Sequence, residues 1–162
     1  MIVVSNIKSA LKRFPSTYRL AQDLYPYYTL FTALIRGRRG WQDHVKSTWS
    51  RFRKHTVIKG RPMNVTIEPT NSCNLLCPIC ETGAEILGRE EGHMTLEQFK
   101  VITDKVGVHA NTLMFYFMGE PFLNKQSYEM IRYAKDIGIP FITTCTNGDP
   151  VNPEKLIECG LD

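Results

Sequence analysis

Cys73, Cys77 and Cys80 stand with three and then two residues between them. Three thiolates on one short loop suit a soft metal centre, either iron–sulfur or zinc. They can grip three corners of a cubane iron–sulfur cluster and leave its fourth iron without a ligand from this loop. A structural zinc site wants four protein ligands. His93, Cys145 and Cys159 are the remaining candidates, and none lies at a usual short spacing from Cys80. A third reading is three buried cysteines with no ligand role. The chain has five cysteines, an odd count, and three of them crowd into eight positions. That is ligand spacing rather than a disulfide framework, and it points to a reducing compartment.

The elements around the loop must position it. Residues 64–68 read as a strand that runs into the cysteine loop. Thr95 and Gln98 form a capping box, so a helix is expected to about Val106, ending near Gly107. A second strand is expected over 112–118, where a near-continuous apolar run fits a strand covered on both faces. Met114, Phe115 and Phe117 read as its core residues. A helix over 125–137 should stop at Gly138, with Pro140 just beyond. A third strand is expected over 141–146. Asn152 and Pro153 then open a last short helix that ends near Cys159 and Gly160. The repeated strand–helix pattern predicts an α/β fold with a parallel sheet and right-handed crossovers. Three strands cannot close an all-parallel barrel, which commonly takes about eight.

At 162 residues, with 43% hydrophobic and 22% charged residues, the composition is that of a globular domain rather than a disordered chain. The net charge of +4 hides an asymmetry. Residues 1–62 carry 13 Lys/Arg against 2 Asp/Glu, and residues 63–162 carry 7 against 14. Residues 1–62 therefore read as a basic, mostly helical extension, and residues 63–162 as the section that carries the loop, with Gly60, Arg61 and Pro62 at the boundary. Helices are expected over 18–35, bent near Pro26, and over 41–55, where Lys46, Arg51, Arg53 and Lys54 keep one side wet. The plain reading of the extension is a helical arm packed on the main domain. The sharper one is an anchor lying on an anionic membrane surface, with Arg36, Arg38 and Arg39 on phosphates. Residues 24–35 are apolar but fall well short of the 18–20 or so that a spanning helix needs. Met1 is followed at once by Ile2, Val3 and Val4, with no cleavage pattern, so no signal peptide is expected. Nucleic acid is not an expected partner, because the basic residues belong to no reading motif.

With these motifs in view, the chain resembles the N-terminal half of the catalytic core of the radical S-adenosylmethionine superfamily. The resemblance covers residues 63–162. It rests first on the cysteine motif after strand one. It extends to Gly119, Glu120 and Pro121 at the end of strand two, and to Thr146, Asn147 and Gly148 at the end of strand three. Within the family the chain looks most like members that carry a C-terminal SPASM-type iron–sulfur domain and modify peptides. Two positions depart from the family pattern. Ile79 stands where an aromatic residue usually precedes the third cysteine, and Met118 stands where the second motif begins with glycine.

The resemblance implies a partial (β/α) barrel of about three strand–helix units. It implies that Cys73, Cys77 and Cys80 hold a [4Fe-4S] cluster whose fourth iron takes the amino and carboxylate groups of S-adenosylmethionine. Reductive cleavage of the sulfonium would give a 5′-deoxyadenosyl radical for hydrogen abstraction. Ile79, Met118, Gly119, Glu120 and Asn147 would lie on the cofactor side. Glu120 would hold its turn, and Gly119 would allow close backbone approach. A flavodoxin or ferredoxin is the implied electron donor and a peptide the implied substrate class. The cysteine usage and the missing signal peptide make the cytoplasm the expected location, and the basic extension makes attachment at the membrane periphery the accompanying expectation. The family's later strands shape its substrate site, so this chain is expected to be an incomplete enzyme. The competing expectation is a non-catalytic iron–sulfur or zinc-binding fragment, or a partner-docking module.

Overall fold

The computed structural model describes Leu24, Tyr27, Phe31 and residues 40–162. Leu24, Tyr27 and Phe31 are helical and exposed. The rest of the helix expected over 18–35, together with Arg36, Arg38 and Arg39, lies outside the described residues.

Helix α1 (Gly40–Phe52) precedes three strand–helix units. These are β1 (Asn64–Thr66) with α2 (Leu96–Val106), β2 (Thr112–Met114) with α3 (Ser127–Asp136), and β3 (Phe141–Thr143) with α4 (Pro153–Glu158). The strands lie in the order β1-β2-β3, all parallel. Val65 sits opposite Leu113, which sits opposite Ile142. Helices α2 and α3 pack on each other, and α3 packs on β3 and α4. Two successive crossovers on one face are what a common handedness requires. The sheet is open, with β1 and β3 at its edges.

Local chemistry sets the helix boundaries. Thr95 accepts from the backbone N–H of Gln98, and the Gln98 side chain accepts from that of Thr95, completing the predicted box. Asn152 accepts from the Lys155 N–H, with Pro153 in the first turn. The helix α3 gives way at Gly138, whose φ of 90° suits a residue without a Cβ. The core lies between the sheet and these helices. Phe99 of α2 meets Phe115 edge to face at 5.8 Å, and Leu113, Met130, Ile131 and Ile142 are fully buried around them. Cys159 is buried here, as a helix-face residue should be, and burial pushes its thiol up.

The strands are shorter than the apolar runs predict. The ladder continues by single bonds beyond the strands, with Ile67 N–H donating to the Met114 carbonyl at 3.0 Å and Phe115 N–H to that of Thr143 at 2.7 Å. Beyond that the backbone turns off toward the loops. Phe117 therefore leaves the sheet and is 68% exposed, so its place in the core is corrected. Burial in β2 also alternates, with Leu113 buried and Thr112 and Met114 half-buried, so only one face is fully covered. Among the described residues, α2 and α3 pack on each other over the buried face of the sheet.

Helix α1 ends at Phe52, near the expected end at about His55, and Lys46, Arg51, Arg53 and Lys54 are exposed as expected. What the sequence did not show is that its small and polar residues turn inward. Gly40, Asp43 and Ser50 are buried, whereas Val45, Trp49 and Phe52 are exposed. Asp43 binds His109 at 2.9 Å and accepts from the Arg61 N–H at 3.1 Å. Ser50 accepts from the Lys59 N–H at 3.2 Å. Among the described residues no helix is long and apolar enough to cross a membrane.

If the capping box fixes the start of α2, Thr95→Ala should cost about 1 kcal/mol of stability, read as a lower urea midpoint at unchanged slope. An unchanged midpoint would show that packing alone sets that end.

Candidate metal centre

The root of the cysteine loop is clamped before the first cysteine is reached. Thr70, Asn71 and Ser72 are all buried. The Thr70 hydroxyl donates to the Gly92 carbonyl at 2.9 Å and accepts from the Ser72 N–H at 3.1 Å. Asn71 donates to the Glu90 carbonyl at 2.8 Å and accepts from the Gly92 N–H at 2.7 Å. Asn124 donates to the carbonyls of both Pro69 and Met94. The segment ahead of α2 is thus tied down beside the loop, and Thr70 bridges to His93.

The end of β2 closes on this root from the other side. Gly119 has φ 77°, and a Cβ there would lie 2.7 Å from the Ser72 carbonyl oxygen and 2.8 Å from backbone atoms of Asn71 and Thr70. Only glycine fits both the conformation and the space. The Glu120 N–H then donates to the Ser72 carbonyl at 2.8 Å. The Glu120 side chain is 2% exposed and accepts three bonds, from the Phe122 N–H, the Thr146 hydroxyl and the Asn147 N–H, at 3.1, 2.7 and 2.7 Å. Every contact is a donor, as an acceptor-only carboxylate needs. Glu120 therefore joins the ends of β2 and β3 and holds its turn.

Asn147 reaches the loop itself. Its amide donates to the Asn74 side-chain oxygen at 2.8 Å, and Asn74 donates to Asp149 at 2.8 Å. Glu68, just past the β1 ladder, takes the Arg89 guanidinium on both oxygens at 2.7 Å and accepts the Met118 N–H at 3.0 Å. That two-point contact holds the Arg89 guanidinium above its usual range. Met118 thus enters through its backbone. Ile79 is 99% exposed at the tip of the loop.

The loop folds into tight turns after Cys77. Cys80 N–H donates to the Cys77 carbonyl at 3.1 Å, and Ala84 N–H to that of Cys80 at 2.8 Å. Gly83 presses on Cys77, leaving no room for a side chain. The N–H groups of Gly83 and Thr82 point at the Cys80 sulfur and hold its thiol below the usual range, which favours thiolate. All three thiols are free, with Cys77 exposed and Cys73 and Cys80 half-exposed. Among the described residues no three His, Cys, Asp or Glu side chains are gathered closely enough to hold a metal ion as the loop stands. The donors nevertheless suit a thiophilic centre, being unpaired thiols on one turn with backbone N–H groups directed at one sulfur. Cys145, at the end of β3, is exposed.

The family model of the radical SAM superfamily matches residues 67–162, more than half of the chain. The chain belongs to the radical SAM superfamily. Its relatives include a PqqA peptide cyclase of Bradyrhizobium diazoefficiens, 27% identical over 61% of this chain and 26% of the relative. An AdoMet-dependent heme synthase of Nitratidesulfovibrio vulgaris is 30% identical over 54% of this chain and 23% of the relative. The chain thus spans about a quarter of the length of these curated relatives. Among solved structures, BtrN in complex with AdoMet and 2-DOIA superposes with a TM-score of 0.54 at 23% identity, over 61% of this chain and 42% of that one. At that identity the likeness shows the fold, a partial and open radical SAM β/α sheet behind a helical extension.

From the sequence, Arg89 reads either as a plain surface residue or as one that meets an anionic group, and the structure gives the second, with Glu68 as the anion; Asn71, Asn74, Asn124 and Asp149 carry no such signal. Asn124 and Pro69 are 55 positions apart, and Asn74 and Asp149 are 75 apart. Only the sheet brings them together. The one local signal was the density of short polar side chains around the cysteine motif.

Two substitutions test the clamp. Gly119→Ala should destabilise the radical SAM chain by more than the 1–2 kcal/mol or so of a left-handed residue, because backbone atoms block the Cβ. Gly148→Ala, with φ 84° and open space around it, should cost only the conformational part. Equal urea midpoints would remove the close approach. Glu120→Ala should cost about 1–3 kcal/mol, because buried donors lose their acceptor, with Glu120→Gln falling between it and the parent.

Proposed function

We propose that this chain is the cofactor-binding part of a radical SAM enzyme, with Cys73, Cys77 and Cys80 as ligands of a [4Fe-4S] cluster. The observation that carries the proposal is the tethering of one three-thiol loop to the carboxyl ends of all three strands, where open α/β folds bind ligands. The cluster, when bound, supplies the electron that cleaves the sulfonium of S-adenosylmethionine. The chain's own residues bind and orient. Backbone hydrogen bonds from Gly83 and Thr82 lower the Cys80 thiol's pKa, which makes its deprotonation on binding iron easier. Gly119 and Glu120 keep the backbone of the second motif against the loop's root, where its carbonyls can receive an amino group. Ile79 and Met118 offer backbone at the rim, and Asn147 sets the loop's height through Asn74.

A peptide substrate belongs to the same proposal, supported by the PqqA peptide cyclases among the relatives. A further iron–sulfur domain of the SPASM type belongs to it too. So do a flavodoxin or ferredoxin donor, for which the exposed Cys77 leaves an approach, and a cytoplasmic location. The second reading is a cluster-binding or zinc-binding fragment without turnover. It is favoured by the spacing of the donors, since among the described residues no three His, Cys, Asp or Glu side chains are gathered around one point.

Anaerobic reconstitution with iron and sulfide separates the readings. The proposal expects about four irons per chain, a broad absorbance near roughly 400 nm, and a reduced-cluster signal that changes with S-adenosylmethionine. Single Ala replacements of Cys73, Cys77 or Cys80 should abolish retention, and Cys159→Ala should not. A cluster blind to S-adenosylmethionine leaves the second reading. Retention in all three loop variants defeats the ligand assignment.

A further inference from the structure

An amphipathic helix on a globular protein normally buries its apolar face. Helix α1 does the reverse. Its inward side is Gly40, Asp43, Ser47 and Ser50, held by polar contacts. Gly40 lies against the His109 carbonyl, Gly60 leaves no room for a side chain against Asp43 and Ser47, and Asp43 is paired with His109. These contacts fix the outward side, which carries Val45, Trp49 and Phe52 at 53%, 56% and 75% exposure. The spacing of four and then three residues makes one stripe. The Trp49 and Phe52 rings are 6.0 Å apart, and the Arg53 guanidinium sits 5.3 Å from the Trp49 ring centre.

Leu24, Tyr27 and Phe31 make a second stripe, spaced three and then four residues apart, and all three are exposed. Tyr27 joins the α1 stripe in one apolar groove of about 550 Å³, lined otherwise by His44, Val45, Thr48, Trp49 and Phe52. Leaving such surface in water is unfavourable by about 25 cal/mol per Å². Contiguous patches of this kind mark contact surfaces.

The charges around the stripe choose the occupant. On a helical wheel Lys46 and Arg53 flank it on one side, and His44 lies on the other, with Arg51 farther round beside the inward face. Lys54, His55 and Lys59 follow, all exposed, beside exposed Val57 and Ile58. The helix has one acid, Asp43, and it is buried against His109. From His44 to Met63 there is no acidic residue. Basic side chains around an aromatic ridge match a plane of anionic headgroups over hydrocarbon. A protein partner of mixed charge would leave them unpaired. Aromatic rings also suit headgroup depth, and long basic side chains can reach up to phosphates from beside them.

We propose that α1, with the stripe of Leu24, Tyr27 and Phe31, lies flat on an anionic lipid surface. The contact is made at the amino end of the sheet, since α1 is pinned to His109 just ahead of β2. The cysteine loop, at the carboxyl end, stays clear of the lipid and open to cofactor and donor. The inference does not depend on the ligand assignment of the three cysteines.

Flotation of the full chain with vesicles tests it, before and after reconstitution. Phosphatidylcholine vesicles containing phosphatidylglycerol should carry the chain up, pure phosphatidylcholine should not, and roughly 0.5 M salt should weaken binding strongly. The fluorescence of the two tryptophans should shift to the blue on binding. Trp49→Ser with Phe52→Ser should weaken binding by more than tenfold or so. Arg51→Glu, Arg53→Glu and Lys54→Glu together should weaken it by roughly a hundredfold or more. Circular dichroism shows whether each variant keeps its fold, and the charge variant tests the proposal even if the apolar one unfolds. Failure of the parent chain to float with anionic vesicles overturns the proposal. So does equal, salt-independent binding to neutral vesicles. A lipid-free dimer that shields Trp49 also overturns it, because a second copy then occupies the stripe.

Discussion

One backbone approach governs the site. Gly119 comes so close to Thr70, Asn71 and Ser72 that no side chain fits between them. The contact sets where β2 ends relative to the cysteine loop. It also places the Glu120 N–H on the Ser72 carbonyl and the Glu120 carboxylate in a closed ring of donors. Each of these bonds is modest by itself. Their value lies in joining three strand ends that otherwise share only short ladders. The cysteine loop therefore stands on a fixed base, and that base is backbone and buried carboxylate rather than apolar packing.

The two ends of the sheet divide the labour. At the carboxyl end, buried polar groups fix the loop's root while the thiols beyond it stay accessible. At the amino end, the Asp43–His109 pair and the tight turn at Gly60 hold α1 with its apolar side outward. Between them a modest core of Phe99, Leu113, Phe115, Met130, Ile131 and Ile142 covers one face of the sheet. The sheet is open, with β1 and β3 at its edges, and the chain spans about a quarter of the length of its curated relatives. Edges of this kind invite pairing.

What the sequence made legible was local. The Thr95–Gln98 box, the Asn152 cap, the stop at Gly138 and the tight placement of Gly119 each depend on residues within a few positions or on one glycine. The family was legible because the cysteine spacing and two short motifs sit at strand ends. Strand lengths were not, since the apolar run past Met114 continues into a loop, where Phe117 faces outward. The pairs Glu68–Arg89, Asp43–His109 and Asn74–Asn147 were also hidden. They are 21, 66 and 73 positions apart, and only the folded sheet creates them. The orientation of α1 was hidden for a related reason. Its pattern shows an apolar stripe, but the side that faces the core is chosen by Asp43 finding His109.

The most direct test of the central claim is electron–nuclear double resonance on the reduced, reconstituted chain with S-adenosylmethionine labelled with ¹⁵N at its amino group. If three thiolates from this loop leave one iron free to be chelated, a ¹⁵N coupling appears and is lost in Cys80→Ala. An intact cluster that shows no such coupling would contradict the account.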